Sequence, residues 1–488
     1  MIPLVPLLLA IASSVAAPTG PELDAPAPPP SATAATVPVP SSVRALPATY
    51  VAALREAGVA PRNAAVVIRP LDSGGIAASE NAGTAMSPAS TMKLVTTWSA
   101  LNLLGPAYSW RTEVYATAPV VGGALDGTLV FRGGGDPTLV IENLWLLVQR
   151  LRDTGLRELR GDVLLDRSAF APVTYDPDEF DGSGDRAYNA GPDALLVNFK
   201  ALSFDFVPDP EAGVAHIVPV PQMAGMKFTP TVRGTAGACG DWRGQLRGDV
   251  SNPLAPVFGG TYPLACGTRT WHVNALEPTP YFAAVFRALW EAGGGRWSGT
   301  IREGTLPPGA RLLASRDSKP LAEVIRDINK FSNNVMARQL FLTLGMEGAG
   351  RPATTANAAQ AVRAFLASRG QAAPELVLEN GSGLSRRERI APANLASLLV
   401  DAWRSPLMPE LVASLPITGV DGTTRTRRAA EGAAHIKTGM LEGVRAIAGY
   451  VSADSGRRYV IVAIINDPAA RGAQRAHDAL LDWLRRGG

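Results

Sequence analysis

The sequence predicts a multidomain α+β protein: an antiparallel sheet flanked by helices, interrupted by a strand-rich insertion of one or two domains. Three observations lead there. The chain has 488 residues, and at about 150 residues per domain that gives roughly three domains. Helical spacing occupies both ends of the folded part, while short strands separated by turns fill the middle. Gly (49) and Pro (40) are abundant, as a chain with many turns and strand ends requires. Hydrophobic residues at 46% and charged residues at 18% exclude a disordered, charged chain. The net charge of +3 is too near balance to imply nucleic-acid binding. Four separated histidines (His216, His272, His435, His477) and two cysteines supply little for a zinc site, and no metal or cofactor is expected.

Residues 1–17, MIPLVPLLLAIASSVAA, read as an export signal, an apolar run followed by small residues, with cleavage after Ala16 or Ala17. No Lys or Arg precedes the run. It falls short of the about 20 apolar residues that span a bilayer, and Pro3 and Pro6 interrupt it; an uncleaved anchor is the alternative. No integral span is expected in the mature chain. Residues 18–43 are Pro/Ala-rich and read as a spacer. Folding should begin near Ala45, where RALPATYVAALREAG has helical spacing up to Gly58. The next stretch, AAVVIRPLDSGGIAASENAG, reads as a hairpin turning at Ser73-Gly74-Gly75.

From about Thr112 to Asp249 the pattern is short strands and turns. Gly133-Gly134-Gly135-Asp136-Pro137 lacks a GKS/T ending and reads as a turn, not a phosphate loop. Arg150–Arg160 is helix-like but broken at Gly155. Cys239 and Cys266 are a reasonable disulfide pair in an exported chain, two unlinked thiols being the alternative. From Pro280 helical patterns return in YFAAVFRALWEAGG and LAEVIRDINKFSNNVMARQLFLTLG. The tail combines a hairpin turned at Ser455-Gly456, its strands apolar enough to lie in a covered sheet, with a helix over Arg471–Arg485. His477 in that helix reads as a surface residue.

Three short motifs carry chemistry. In Ser87-Pro88-Ala89-Ser90-Thr91-Met92-Lys93, Ser87 can cap a helix and Pro88 can take its first position. Ser90 and Lys93 are then i and i+3 on one face, so an amine can reach a hydroxyl, with the serine at the helix end that favours negative charge. Ser332-Asn333-Asn334 stands near the start of another helix, where a mere cap is the bland reading and Asn333 reads as packing or solvent-facing. Lys437-Thr438-Gly439 follows an apparent strand, with His435 on the same face as Lys437 by alternation. Each motif alone is common by chance. In this order they supply a nucleophile, a base, a proton relay, a carboxylate clamp and a narrow Gly position.

With these motifs the sequence resembles the low-molecular-mass class C penicillin-binding proteins, the D-alanyl-D-alanine carboxypeptidase/endopeptidase family S13. The resemblance extends to GGGDPTL at 133–139, GDVLLDRSAF at 161–170, LLVNF at 195–199, GSGLSR at 381–386, SLPITGVDGT at 414–423, and HIKTG at 435–439 followed by EGVRAIAGY at 442–450. It implies a penicillin-binding protein/beta-lactamase-like serine transpeptidase fold. Lys93 and Ser332 are separated by 238 residues, which matches a family arrangement with extra domains inserted between the first two motifs. The catalytic domain is then expected at 44–110 plus 280–488 and the insert at 111–279.

The resemblance further implies a serine-type D-Ala-D-Ala carboxypeptidase and endopeptidase in the periplasm. Peptidoglycan peptides ending in D-Ala-D-Ala would be its substrates and beta-lactams its covalent inhibitors. Ser90 would be the nucleophile, Lys93 its base and Ser332 a proton relay. Asn334, Lys437, Thr438 and Gly439 would line the substrate, and the backbone N–H groups of Ser90 and Met440 would form the oxyanion hole. Two positions depart from the family pattern: Met440 replaces the usual Thr or Ser, and Asn380 stands where Asp is frequent. Other classes compatible with the motifs are a beta-lactamase-like or esterase hydrolase, against which the long insert argues, and a non-catalytic wall-binding protein, against which the intact motif set argues.

Overall fold

An apolar run such as RYVIVAIIN cannot face water on either side, and the strand it forms, Arg458–Asn466, is buried on both faces. A computed structural model describes residues 45–487 apart from 73–74, 173–175, 177, 183, 185 and 274–275. The expected signal (1–17), the whole of the spacer (18–43) and the Ser73-Gly74 turn lie outside the described residues. Arg458–Asn466 is the middle strand of an antiparallel sheet ordered Ala434–Leu441, Val444–Ser452, Arg458–Asn466, Ala64–Pro70, Ala78–Glu80. Alternation sends Val460, Val462 and Ile464 to one face, against helices that contribute Leu94, Ile325, Leu340, Val362 and Leu399. Ile461, Ala463 and Ile465 go to the other face, against the first and last helices, Ala48–Glu56 and Gln474–Arg485. The sheet is therefore sandwiched between helical layers, which is why its strands carry almost no polar face.

The last helix corrects one expectation. It starts at Gln474, after a 3₁₀ turn at Pro468–Gly472 whose Asp467 carboxylate accepts from Ala469 N–H. His477 is fully buried. Its neighbours at helical spacing are Leu480, Leu481 and Leu484, so the 3.6-residue period places the imidazole on the core stripe and not on the surface.

The insert leaves the first body at Arg111. Its strands form a five-stranded sheet (Ile301–Glu303, Val163–Asp166, Leu129–Arg132, Arg111–Ala116, Arg311–Asp317), a short four-stranded one, and a second five-stranded sheet built on Leu202–Asp209 and Val214–Val220. One apolar core runs through them. The stretch 280–317, expected with the catalytic part, pairs and packs with these strands. Helix Pro278–Ala292 buries Phe282, Phe286 and Trp290 in that core, and Arg311–Asp317 pairs with the insert's first strand. Its amphipathic pattern identified a helix correctly but carried no information about which core it would face. Within 150–160, helix Ile141–Asp153 ends, Gly155 turns at φ +90°, and Glu158–Leu159 is a strand. At Gly133 a side-chain carbon would fall 2.2 Å from Ala194 O, so the triple glycine serves close backbone packing. Cys239 and Cys266 form a disulfide. Among the described residues no helix is long and apolar enough to cross a membrane.

Candidate active site

Ser90 does not open the α-helix directly. Ala89 takes φ +45°, so Ala89–Met92 winds as a 3₁₀ turn and the α-helix begins at Lys93. No side-chain cap forms there; the Ser87 backbone is held instead by Asn466, whose Oδ1 accepts from Ser87 N–H at 2.7 Å while Nδ2 donates to Ser87 O at 3.0 Å. The i, i+3 relationship survives, and Lys93 Nζ lies 3.1 Å from Ser90 Oγ.

The surroundings of Lys93 set its protonation. The side chain is fully buried, and Nζ lies 2.7 Å from Asn334 Oδ1 and 2.5 Å from Ser382 O. Burial holds its pKa well below the usual lysine value; nearby Lys437 and Arg338 add to that, and Glu388 opposes it. A neutral amine has two N–H bonds and one lone pair. With the two carbonyl oxygens taking the N–H bonds, the lone pair is left for the Ser90 hydroxyl.

Ser332 sits between two helices, Leu321–Lys330 and Asn334–Ala349, at φ +57°, a conformation rare for a residue with a side chain. The helix cap is Asn333, whose Oδ1 accepts from Met336 N–H at 3.0 Å, correcting the packing-or-solvent reading of that residue. Ser332 and Asn334 are thereby released from capping and both face the site: Asn334 meets Lys93, and Lys437 Nζ donates to Ser332 Oγ at 2.9 Å.

Lys437 and Gly439 project from Ala434–Leu441, an edge strand. Ile436 N–H leaves the sheet for Pro416 O, so by alternation Thr438 and Met440 turn their backbone groups to the same open edge. There Thr438 O accepts from Lys437 Nζ at 2.8 Å. Lys437 is fully buried, and burial pushes its pKa down to about 7. A side-chain carbon on Gly439 would fall 2.7 Å from Pro88 O and 3.1 Å from Ser90 N; its absence lets the strand pass against the serine turn. Met440 itself is exposed, with Sδ 3.7 Å from Arg445 Nη2. His435 is half-buried and its Nδ1 meets Val412 O at 3.4 Å.

A fourth segment, 379–388, which includes the GSGLSR stretch, lies against the serine turn. Glu388 is fully buried and its carboxylate accepts backbone N–H groups from Glu379, Asn380 and Gly381 on Oε1, at 2.8–3.0 Å, and from Gly383 on Oε2 at 2.9 Å. This cradle presents Ser382 O to Lys93. It also brings Gly383 (φ +78°) so close to the serine turn that a side-chain carbon there would fall 1.9 Å from Ala89 O. Asn380, in place of a more usual Asp, donates from Nδ2 to Leu384 O at 3.0 Å, a bond a carboxylate cannot make. The glycines of GSGLSR were the available signal; the glutamate seven residues beyond Gly381 gave none.

Residues 51–486 match the family model D-Ala-D-Ala carboxypeptidase 3 (S13). A D-alanyl-D-alanine carboxypeptidase of Actinomadura sp. (strain R39) is 31% identical over 403 residues, 78% of this chain and 73% of that one. D-alanyl-D-alanine carboxypeptidase DacB of Haemophilus influenzae is 26% identical over 422 residues, 83% of this chain and 85% of that one. The crystal structure of penicillin binding protein 4 (dacB) from Haemophilus influenzae superposes with a TM-score of 0.73 at 24% identity, covering 89% of this chain and 99% of that chain. The nested arrangement of sheet, helices and insert is thus that fold. By motif order, extent of the match and architecture together, the chain belongs to the D-Ala-D-Ala carboxypeptidase 3 (S13) family.

Proposed function

We propose that the protein is a serine-type D-Ala-D-Ala carboxypeptidase, and a D,D-endopeptidase, acting on peptidoglycan stem peptides and cross-links through an acyl-enzyme on Ser90. The observation that carries this reading is the buried Lys93 amine 3.1 Å from Ser90 Oγ, with its other two directions occupied by carbonyl oxygens. Burial favours the neutral amine, the form a general base requires.

In this mechanism Ser90 Oγ attacks the carbonyl of the penultimate D-alanine as its proton passes to Lys93. The oxyanion that forms is bound by the backbone N–H groups of Ser90 and Met440. Collapse breaks the C–N bond, and the leaving amine takes, through the Ser332 hydroxyl held by Lys437, the proton that Lys93 received, which returns Lys93 to its neutral form. Water, deprotonated by Lys93, then cleaves the ester. Asn334 orients Lys93 and a substrate amide; Thr438 binds the terminal carboxylate. Endopeptidase action follows from the same steps, because a cross-link is also cleaved after a D-alanine carbonyl.

On this reading residues 44–110 and the chain from about residue 318 form the catalytic body, with 111–317 as an accessory insert. The enzyme works in the periplasm, exported by residues 1–17, and beta-lactams acylate it. Intact-mass measurement after penicillin treatment tests the reading. A lasting mass gain lost in Ser90→Ala is expected. No gain, or a gain that survives Ser90→Ala, overturns it; rapid drug turnover would assign a beta-lactamase instead.

A further inference from the structure

The segment 416–424 touches the site from a side that the three motifs do not account for. It is braced against the helix that precedes Ser332. Lys330 Nζ, at the end of that helix, pairs with Asp421 Oδ2 at 2.5 Å, the lysine side chain being only 5% exposed. Asp421 Oδ1 accepts from Ile417 N–H at 2.8 Å. Gly422, at φ +54°, lies so close that a side-chain carbon would fall 2.5 Å from Lys330 O. Gly419 N–H closes the turn on Thr424 O at 3.0 Å. At the tip of this braced turn the exposed Thr423 holds its Oγ1 2.9 Å from Thr438 Oγ1.

We propose that Thr423 is a substrate-binding residue, which with Thr438 forms a two-hydroxyl clamp for the terminal carboxylate. This rests on the carboxypeptidase reading above. Lys437 is poorly placed to hold that carboxylate alone: it is buried, and its Nζ already donates to Ser332 Oγ and Thr438 O. The two threonine hydroxyls are adjacent, and one is mounted on a strand edge and the other on a turn fixed by an ion pair whose lysine is buried. In the free protein one hydroxyl donates to the other. When a carboxylate arrives, both protons can turn to its two oxygens, replacing one neutral hydrogen bond by two charge-assisted ones. The turn pre-positions the second hydroxyl, so little ordering is needed on binding.

The test compares Thr423→Val, which keeps the shape and removes the hydroxyl, with Thr423→Ser, which keeps the hydroxyl. Each is assayed on a peptide ending in D-Ala-D-Ala and on the same peptide with its terminal carboxylate amidated. Loss of one charge-assisted bond predicts a fall of about tenfold or more in kcat/KM on the acid for Thr423→Val, little change on the amide, and near-wild-type values for Thr423→Ser. Equal losses on both peptides, or none on the acid, overturn the clamp. Mass measurement separates this from failure of the underlying reading. A wild-type protein that penicillin acylates at Ser90 and that prefers the acid, beside an unaffected Thr423→Val variant, refutes the clamp alone. A wild type that is neither acylated nor active refutes both.

Discussion

Lys437 Nζ donates to Ser332 Oγ at 2.9 Å from a fully enclosed position, so this lysine is coupled to the Ser332 hydroxyl before any substrate enters. Its pKa, lowered to about 7 by burial, makes it a cation only on the acid side of neutrality. It also helps hold down the pKa of Lys93, after the larger effect of burial.

The profile of kcat/KM against pH reports groups on the free enzyme. With an acid-terminated peptide, kcat/KM is expected to decline above about pH 7 as Lys437 loses its proton and with it the attraction for the carboxylate. The amidated peptide should lack that decline. Lys437→Ala should cost roughly 1.5–3 kcal/mol on the acid, about ten- to more than a hundredfold in kcat/KM, and much less on the amide. Equal losses on the two peptides would assign Lys437 to the serine relay alone.

Glu388 tunes Lys93 from a distance. Its carboxylate opposes the lowering of the Lys93 pKa while accepting four backbone N–H groups. Glu388→Gln should therefore move the acid limb of penicillin acylation to lower pH. It should also destabilise the fold by about 1–3 kcal/mol, because an amide N–H2 would confront backbone donors. Acylation rates across pH, paired with denaturant unfolding, check both effects; an acid limb that stays in place removes Glu388 from the tuning of the base.

His477 makes the fold acid-sensitive. The ring is fully buried, neither nitrogen has a hydrogen-bond partner among the described residues, and burial with nearby Arg427 and Arg445 holds its pKa well below the ordinary value. The folded chain keeps it neutral while the unfolded chain protonates it near pH 6.5. Stability is thus full above that pH and falls as pH drops below it, by up to about 1.4 kcal/mol per pH unit. His477→Leu should flatten the dependence of Tm on pH between about 6.5 and 5, leaving the smaller contribution of half-buried His435, whose pKa is lowered in the same sense. An unchanged slope would show that His477 is already paired or solvated.

The Cys239–Cys266 bond closes a loop of sequence separation 27 within the insert. Chain-entropy arguments value such a loop at about 3 kcal/mol. Reduction should lower the insert's unfolding midpoint accordingly while Ser90 acylation persists, because both cysteines lie outside the catalytic motifs. Loss of acylation on mild reduction would instead mean that the insert holds the catalytic geometry.

The order of the three motifs, the helical and strand periods around them, and the turn residues between them were all determined by the sequence by itself. So was the family: Ser90–Lys93, Ser332–Asn334 and Lys437–Gly439 are local strings whose meaning does not depend on what they touch. The apolar strand Arg458–Asn466 likewise announced a sheet covered on both faces. Tertiary structure decided which partners those strings found. Helix Pro278–Ala292 was legible as amphipathic, yet only packing decided that its apolar face joins the core of the strand-rich sheets. Asn333 took the cap and freed its neighbours. Glu388 reached Lys93 through the backbone it cradles, and Thr423 reached Thr438 through a turn anchored on Lys330. Each of these links joins residues distant in sequence or acts through backbone groups common to every residue type. Periodicity records only which side of its own element a side chain occupies, so contacts of that kind leave no local pattern to read.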